Sequence, residues 1–161
     1  MTDLVAVPSA ELISITSNPG QVIEPACLTF THELVRPRLI SPSQESQRYG
    51  EYGKTRSFDL ILPPTIEQSH FHDRYVEMAA GDIPGEDARY ILPGGTTSKI
   101  VISANFRKFR HIFRIRRHPR VSREIRRICL RMLEIMKKEA PIVFNDFQID
   151  HETDSAMLVA A

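Results

Sequence analysis

The feature that most constrains this 161-residue chain is an apolar stripe in its C-terminal third. Ile125, Ile128, Cys129, Met132, Leu133 and Met136 recur at i, i+3, i+4, i+7, i+8 and i+11, so they share one face of an α-helix. Lys137 and Lys138 stand in its last turn, where cations complement the helix dipole, and Pro141 follows as a stop. So long a stripe is core or a subunit interface. A second helix precedes it: Phe106, Phe109 and Phe113 recur at spacings of three and four, and Pro119 ends the pattern. Its other face carries Arg107, Lys108, Arg110, Arg114 and Arg117. Two amphipathic helices need a further layer to bury against.

That layer must come from the first two thirds. Residues 1–25 are weakly patterned, with Leu12-Ile13-Ser14-Ile15 as a short strand candidate. The apolar segment from Ala26 to Val35 reads equally as strand or helix. Ser41-Pro42 disfavours helix, so a turn or irregular loop is expected after Arg38. Gly50 and Gly53 mark a loop, and Phe58–Leu62 reads as a short strand stopped by Pro63-Pro64. Ile66–Ala80 is predicted helical, with Phe71, Tyr75 and Met78 on one face. A short helix follows around Glu86 and ends before Pro93, then Gly94-Gly95-Thr96-Thr97 turns the chain. Lys99-Ile100-Val101-Ile102 is β-branched and ambiguous. Residues 150–161 have no periodicity and are expected to be a disordered tail. The size fits one domain spanning residues 1–161.

Hydrophobic residues at 42% and charged residues at 25% are those of an ordinary globular protein, and no run has the length of a membrane span. Nothing resembles a signal peptide, so the cytoplasm is the expected compartment. Cys27 and Cys129 lie far apart with no CxxC, which argues against a zinc site or disulfide framework; no metal is expected. Neither cysteine is expected to sit in a polar constellation. The net charge of +1 hides a cluster: between Asn105 and Arg131 stand eleven Arg or Lys against Glu124 alone. That window attracts anions, and a nucleic-acid backbone is one candidate.

The polar stretch from Val35 to Tyr49 has a different character. Arg36, Arg38 and Arg48 offer planar donor forks, while Ser41, Ser43, Gln44, Ser46, Gln47 and Tyr49 add neutral donors and acceptors. The mixture suits a small anionic, hydrogen-bonding ligand such as a nucleotide. Arg36-Pro37-Arg38 followed by seven residues and Ser46 resembles the signature of the flavin-dependent thymidylate synthases, an Arg-His-Arg with seven residues before a Ser. Further stretches resemble that family in order: Ala88-Arg89-Tyr90-Ile91-Leu92-Pro93, Asn105-Phe106-Arg107 with His111, Arg116 before Glu124-Ile125-Arg126, and Pro141 to Phe147. The resemblance covers residues 26–149.

The resemblance implies an α/β (α+β) fold, a mixed sheet flanked by helices, assembled as a homotetramer with sites between subunits. It implies conversion of dUMP to dTMP, with methylenetetrahydrofolate as carbon donor and FAD, reduced by NADPH, as hydride source. By matching positions, Arg36, Pro37, Arg38, Gln44, Asn105, Phe106, Arg107 and His111 would contact FAD. Glu33, Leu34, Val35, Arg36, Gln44, Glu45, Ser46, Gln47, Arg48, Arg89 and Arg116 would line the dUMP site. Arg116 would be catalytic, stabilising negative charge on the uracil ring, with Ser46 positioned near the pyrimidine.

Some positions depart from the family pattern. Pro37 stands where the signature has His, removing an imidazole and a backbone N–H. Arg120 stands where a His usually follows the catalytic Arg, with His118 nearby. The stretch from Pro64 to Phe71 is short, and the chain is expected to lack an N-terminal segment that contacts FAD. Two other functions therefore stay open: a non-catalytic nucleotide-binding homologue, and a basic nucleic-acid-binding module.

Overall fold

Alternating burial along two β-branched segments builds the layer that the helices require. The computed structural model of the chain describes residues 10–14, 20–47, 59–62, 71–81 and 83–159. Strands β1 (Ala10–Ser14), β2 (Gly20–Cys27), β3 (Ser41–Gln44) and β4 (Thr97–Ser103) form a sheet in the order β1-β2-β4-β3. All three pairings are antiparallel, so the α+β form of the expected class is the one realised. Ile23 faces Ile100 across the β2–β4 pair, and with Ile102 they are fully buried on one face of the sheet.

Helices α4 (Phe106–Arg116) and α5 (Arg123–Glu139) cover that face. All six stripe residues, Ile125, Ile128, Cys129, Met132, Leu133 and Met136, are buried within the chain itself, which settles core against subunit interface. Phe109, Ile112 and Phe113 of α4 join them, and so do Phe30 and Leu34 of α1 (Leu28–Leu34). The ambiguous segment from Ala26 is thus divided: Ala26 and Cys27 end β2, and the chain then turns directly into α1.

A smaller cluster of Leu60, Tyr75, Ala79 and Ala88 lies under α2 (Phe71–Ala80) and α3 (Gly85–Ala88). A 3₁₀ turn, Arg89–Ile91, continues from α3. Of the strand expected at Phe58–Leu62, Leu60 forms an isolated bridge to Thr96, and Phe58 lies outside the described residues. Ile66 to His70 of the predicted helix also lie outside them.

Two expectations need correction. The expected turn is confined to residues 37–39, and an edge strand follows it where more irregular loop was expected: Ser41–Gln44 pair with Ser103–Ile100 of β4. Pro42 is tolerated because an edge strand leaves one side of its backbone unpaired. The tail, where it is described, is also ordered. After α6 (Pro141–Phe144), strands β5 (Phe147–Asp150) and β6 (Ser155–Leu158) form a hairpin. Asp150 holds its turn, accepting from the Glu152 N–H at 2.9 Å and the Thr153 hydroxyl at 2.7 Å.

Cations from the helices fasten this hairpin. Arg110 donates to both carboxylate oxygens of Asp146, at 2.7 and 2.5 Å, and its guanidinium stacks 5.0 Å from the Phe147 ring centroid. Arg127 pairs with Asp154 at 2.7 Å, and Arg117 donates to the Ala156 carbonyl. Short turns and long-range ion pairs leave no periodic trace, which is why the sequence pattern shows no order there.

The Arg110 guanidinium holds the Asp146 carboxyl below its ordinary 3.8. A depressed folded-state value contributes stability above 3.8 that disappears as pH falls through the folded value. Asp146→Asn is therefore expected to lower unfolding stability by about 1 kcal/mol at neutral pH, after allowance for the partial exposure of the pair. Urea titrations should show the gap between parent and variant closing below pH 3.8. A gap unchanged by acid would remove the ion pair as its cause.

Candidate functional site

Helix α1 is only 7 residues long, too short to persist alone, and its ends show what holds it. At its start the Leu28 and Thr29 N–H groups donate to the carbonyls of Thr96 and Gly94, at 3.2 and 3.0 Å. The approach is close: a Cβ at Gly94 would stand 2.5 Å from Thr29 Oγ1, and the hydroxyl would have to move. Cys27 caps the helix, its sulfur accepting from the Phe30 N–H at 3.3 Å. The carboxylate of Glu124, in the first turn of α5, accepts from the Cys27 N–H at 2.9 Å and from the Cys27 thiol at 2.6 Å.

Contrary to expectation, then, one cysteine does sit in a polar constellation. It is a structural one. Burial, followed by the hydrogen bond to Glu124, pushes the Cys27 thiol up to about 12. Burial pushes Cys129 up to about 12 as well, with smaller and opposed influences from the Arg116 and Glu33 charges. Neither thiol is poised as a nucleophile near neutral pH.

At the other end of α1, Glu33 gathers three segments. Arg116, the last residue of α4, donates to the Glu33 carbonyl at 2.7 Å and to its Oε2 at 3.2 Å. Ser122, just before α5, donates its hydroxyl to Glu33 Oε1 at 2.8 Å. Ser122 is the N-cap of α5 yet makes no side-chain capping bond; its hydroxyl donates to Glu33 instead of its oxygen accepting from the helix. The Arg116 and Glu33 side chains are 17% and 27% exposed, so the pair lies at the edge of the core, screened from bulk water but within reach of it. Arg116 Nε is buried without a partner, a donor whose capacity is unspent among the described residues.

Gln44 reaches the same helix from β3, donating to Thr31 Oγ1 at 3.2 Å and to Ser98 Oγ at 3.4 Å. Glu33, Arg116 and Gln44 thus converge on α1. Other predicted residues are dispersed around it. Leu34 is core and Val35 half-exposed; Arg36 and Arg38 are exposed, while Pro37 is buried. Glu45 donates its N–H to the Lys99 carbonyl at 2.8 Å, Ser46 is exposed, and Gln47 keeps a buried amide nitrogen without a partner. Arg48 lies outside the described residues.

Arg89 sits on the 3₁₀ turn, its Nε bonded to the Glu86 carbonyl at 3.1 Å. Asn105 caps α4, accepting from the Lys108 N–H at 2.9 Å, and Phe106 packs edge-on against Phe144. Arg107 and His111, one helical turn apart, are exposed on the outer side of α4. Among the described residues no hydrogen bond ties Arg89, Arg107 or His111 to the Glu33 cluster.

Sequence reasoning missed Ser122, Thr31 and the link between Cys27 and Glu124. A Ser directly before an apolar helical stripe is an N-cap signal and could have drawn attention to Ser122. The basic window is also less free than its composition suggests. Arg110, Arg116, Arg117, Arg126, Arg127 and Arg131 are all bonded within the chain, which weakens the reading as a nucleic-acid stripe. Among the described residues no group of three or more His, Cys, Asp or Glu could hold a metal, and no helix is long and apolar enough to cross a membrane.

A model of the family described as thymidylate synthase complementing protein matches residues 22–142, an interval containing every residue of the α1 cluster. The flavin-dependent thymidylate synthase of Geobacter sulfurreducens is 32% identical over 146 residues, covering 78% of this chain and 62% of the relative. That of Sulfurisphaera tokodaii is 35% identical over 136 residues, covering 76% and 51%. That of Corynebacterium glutamicum is 31% identical over 172 residues, covering 90% and 68%. The chain thus spans between about half and two thirds of the length of these curated relatives.

The raised thiols make a direct test of the cap. At pH 8 a thiol titrating at about 12 is thiolate in only about one molecule in 10⁴, so an aromatic disulfide reagent should label neither Cys27 nor Cys129 while the protein is folded. Both should react in urea. Rapid labelling of folded Cys27 would mean that the Glu124 cap is open in solution.

Proposed function

Because the chain belongs to the thymidylate synthase complementing protein family, we propose that it is a flavin-dependent thymidylate synthase. It would convert dUMP to dTMP, using methylenetetrahydrofolate as carbon donor and NADPH as reductant. The observation that carries the reading is Arg116, restrained by Glu33 with a buried Nε left unpaired. A half-buried, preorganised guanidinium stabilises developing negative charge far better than a solvated one. Placed against a uracil carbonyl, it would draw charge onto oxygen and N3 and leave C5 nucleophilic.

Gln44, Glu45, Ser46, Gln47, Arg48, Arg89 and Glu33 would orient the nucleotide, with Ser46 near the pyrimidine. The segment Leu34-Val35-Arg36 would add backbone contacts. FAD, when bound, supplies the hydride that completes the methyl group. The residues assigned to it fit an anionic dinucleotide: Arg36, Arg38 and Arg107 are exposed and have no carboxylate partner among the described residues. Pro37, His111, Asn105 and Phe106 would flank them, Asn105 keeping its amide nitrogen free while its oxygen caps α4.

A homotetramer is the expected assembly. The α5 stripe cannot be its interface, since the chain buries that itself; exposed Leu39, Tyr90 and Ile142 are available instead. Two free cysteines fit a reducing compartment such as the cytoplasm.

The reading is tested by mixing purified protein with FAD, desalting, and looking for retained flavin absorbance, then assaying dTMP formation with all three substrates. Arg116→Lys keeps the charge but loses the two-point contact, and should lower kcat by about 10²–10³ with little change in dUMP affinity. Arg107→Lys should instead weaken FAD and be partly rescued by more of it. Arg116→Lys turning over at the parent rate would remove Arg116 as the uracil activator. Calorimetric binding of dUMP without turnover would favour a non-catalytic homologue. Light scattering should give a tetramer; a stable monomer would leave the shared site unbuilt.

A further inference from the structure

We infer that Ser122 is a positioning residue for Arg116, acting through Glu33; the catalytic part of this inference rests on the reading above. The geometry is a relay of three groups from three elements. Ser122 Oγ donates to Glu33 Oε1 at 2.8 Å, and the other oxygen of the same carboxylate, Oε2, receives Arg116 Nη1 at 3.2 Å. Arg116 Nη2 is fixed on the Glu33 carbonyl at 2.7 Å. A carboxylate bonded to the arginine alone could rotate about its terminal bond and carry the guanidinium with it. A donor on the far oxygen removes that freedom.

The position of Ser122 makes the assignment more than proximity. A Ser before a helix ordinarily spends its hydroxyl on the helix's own N–H groups, and here it does not. The Oγ is turned away from the helix and its hydrogen is directed to a carboxylate that lies 89 residues away in sequence. Two residues on, Glu124 grips the Cys27 N–H and thiol, so the first turn of α5 holds α1 at both ends. Ser122 is therefore aligned with Glu33 by a second, independent contact. The long Arg116 side chain has more rotameric freedom than any other member of the relay and gains most from such restraint.

The consequence is specific. Loss of the Ser122 hydroxyl leaves α5, the core and the Arg116 charge in place and loosens only the orientation of the guanidinium. It should act on kcat and leave nucleotide affinity nearly unchanged. A merely structural serine would instead lower the unfolding midpoint and move kcat only as far as it reduced the folded fraction.

The experiment uses the full chain with Ser122→Ala, Ser122→Thr and Glu33→Gln, and has two arms. In the first, ¹⁵N NMR of the substrate-free protein follows rotation of the Arg116 guanidinium. It should be slow in the parent, several-fold faster in Ser122→Ala, and slow again in Ser122→Thr, which restores a hydroxyl. In the second, assayed well below the unfolding midpoint of every variant, Ser122→Ala should lower kcat about tenfold with dUMP affinity held, Ser122→Thr should recover most of it, and Ser122→Ala should cost nothing further in a Glu33→Gln background. Unchanged guanidinium rotation in Ser122→Ala overturns the relay. So does full kcat in that variant, or additive losses in the double variant. A parent that forms no dTMP defeats the proposed function alone, and the NMR arm still decides whether Ser122 restrains Arg116.

Discussion

A half-buried carboxylate at the end of a short helix is the constraint around which this protein is arranged. Glu33 sits at the margin of the core, its side chain 27% exposed, and a carboxylate drawn partly out of water requires donors in exchange. It is matched by Arg116 and Ser122, which lie 83 and 89 residues away in sequence. Meeting that requirement brings the end of α4, the start of α5 and the end of α1 to one point. Gln44 reaches the same helix from the edge strand through Thr31. The candidate site lies where these elements meet.

The energies divide the labour. Each stripe side chain of α5 contributes about 1.5–3 kcal/mol by leaving water, whereas a single hydrogen bond nets about 1 kcal/mol. Burial of Ile125, Ile128, Cys129, Met132, Leu133 and Met136 therefore decides where α5 lies. The polar ties from Ser122 and Glu124 then decide how α1 is oriented on it. The hydrophobic effect has no direction, and hydrogen bonds do. Rigid cores place such elements coarsely, and a chemistry that depends on a guanidinium being aimed needs the second kind of interaction.

The same division explains what could be read from residues alone. The stripe, the Phe106–Phe109–Phe113 face and the breaks at Pro119 and Pro141 were legible because burial on a helix imposes a period. Ile100-Val101-Ile102 is harder, since a β-branched run that short fits strand or buried helix until its partner is known, and that partner, β2, lies largely in a stretch that reads as weakly patterned. The Ser155–Leu158 strand was not legible at all. Its order comes from Asp150 within the turn and from Arg110, Arg117 and Arg127 on distant helices. In the site, Glu33, Gln44 and Arg116 were picked out through a family signature, not through any local pattern that joins them. Ser122 escaped because its usual meaning before a helix, a cap, is not the role its hydroxyl serves.

The thiols show how the polar ties also limit the chemistry. A cysteine that attacks must first lose its proton. At Cys27 that would place a thiolate beside the Glu124 carboxylate, in a site already poor in water, and so the proton stays on sulfur. Cys129 is enclosed in the core. Sulfur is therefore not poised to attack, and the other hydroxyl that faces a carboxylate in the α1 cluster is that of Ser122 on Glu33. What the cluster holds is a restrained cation with an unspent donor. Such a group lowers a barrier by stabilising charge as it develops on a bound ring, and its effect depends on angle and distance more than on charge alone. The arrangement that keeps sulfur inert and the one that keeps Arg116 aimed share a single origin, the first turn of α5 closing over both ends of α1.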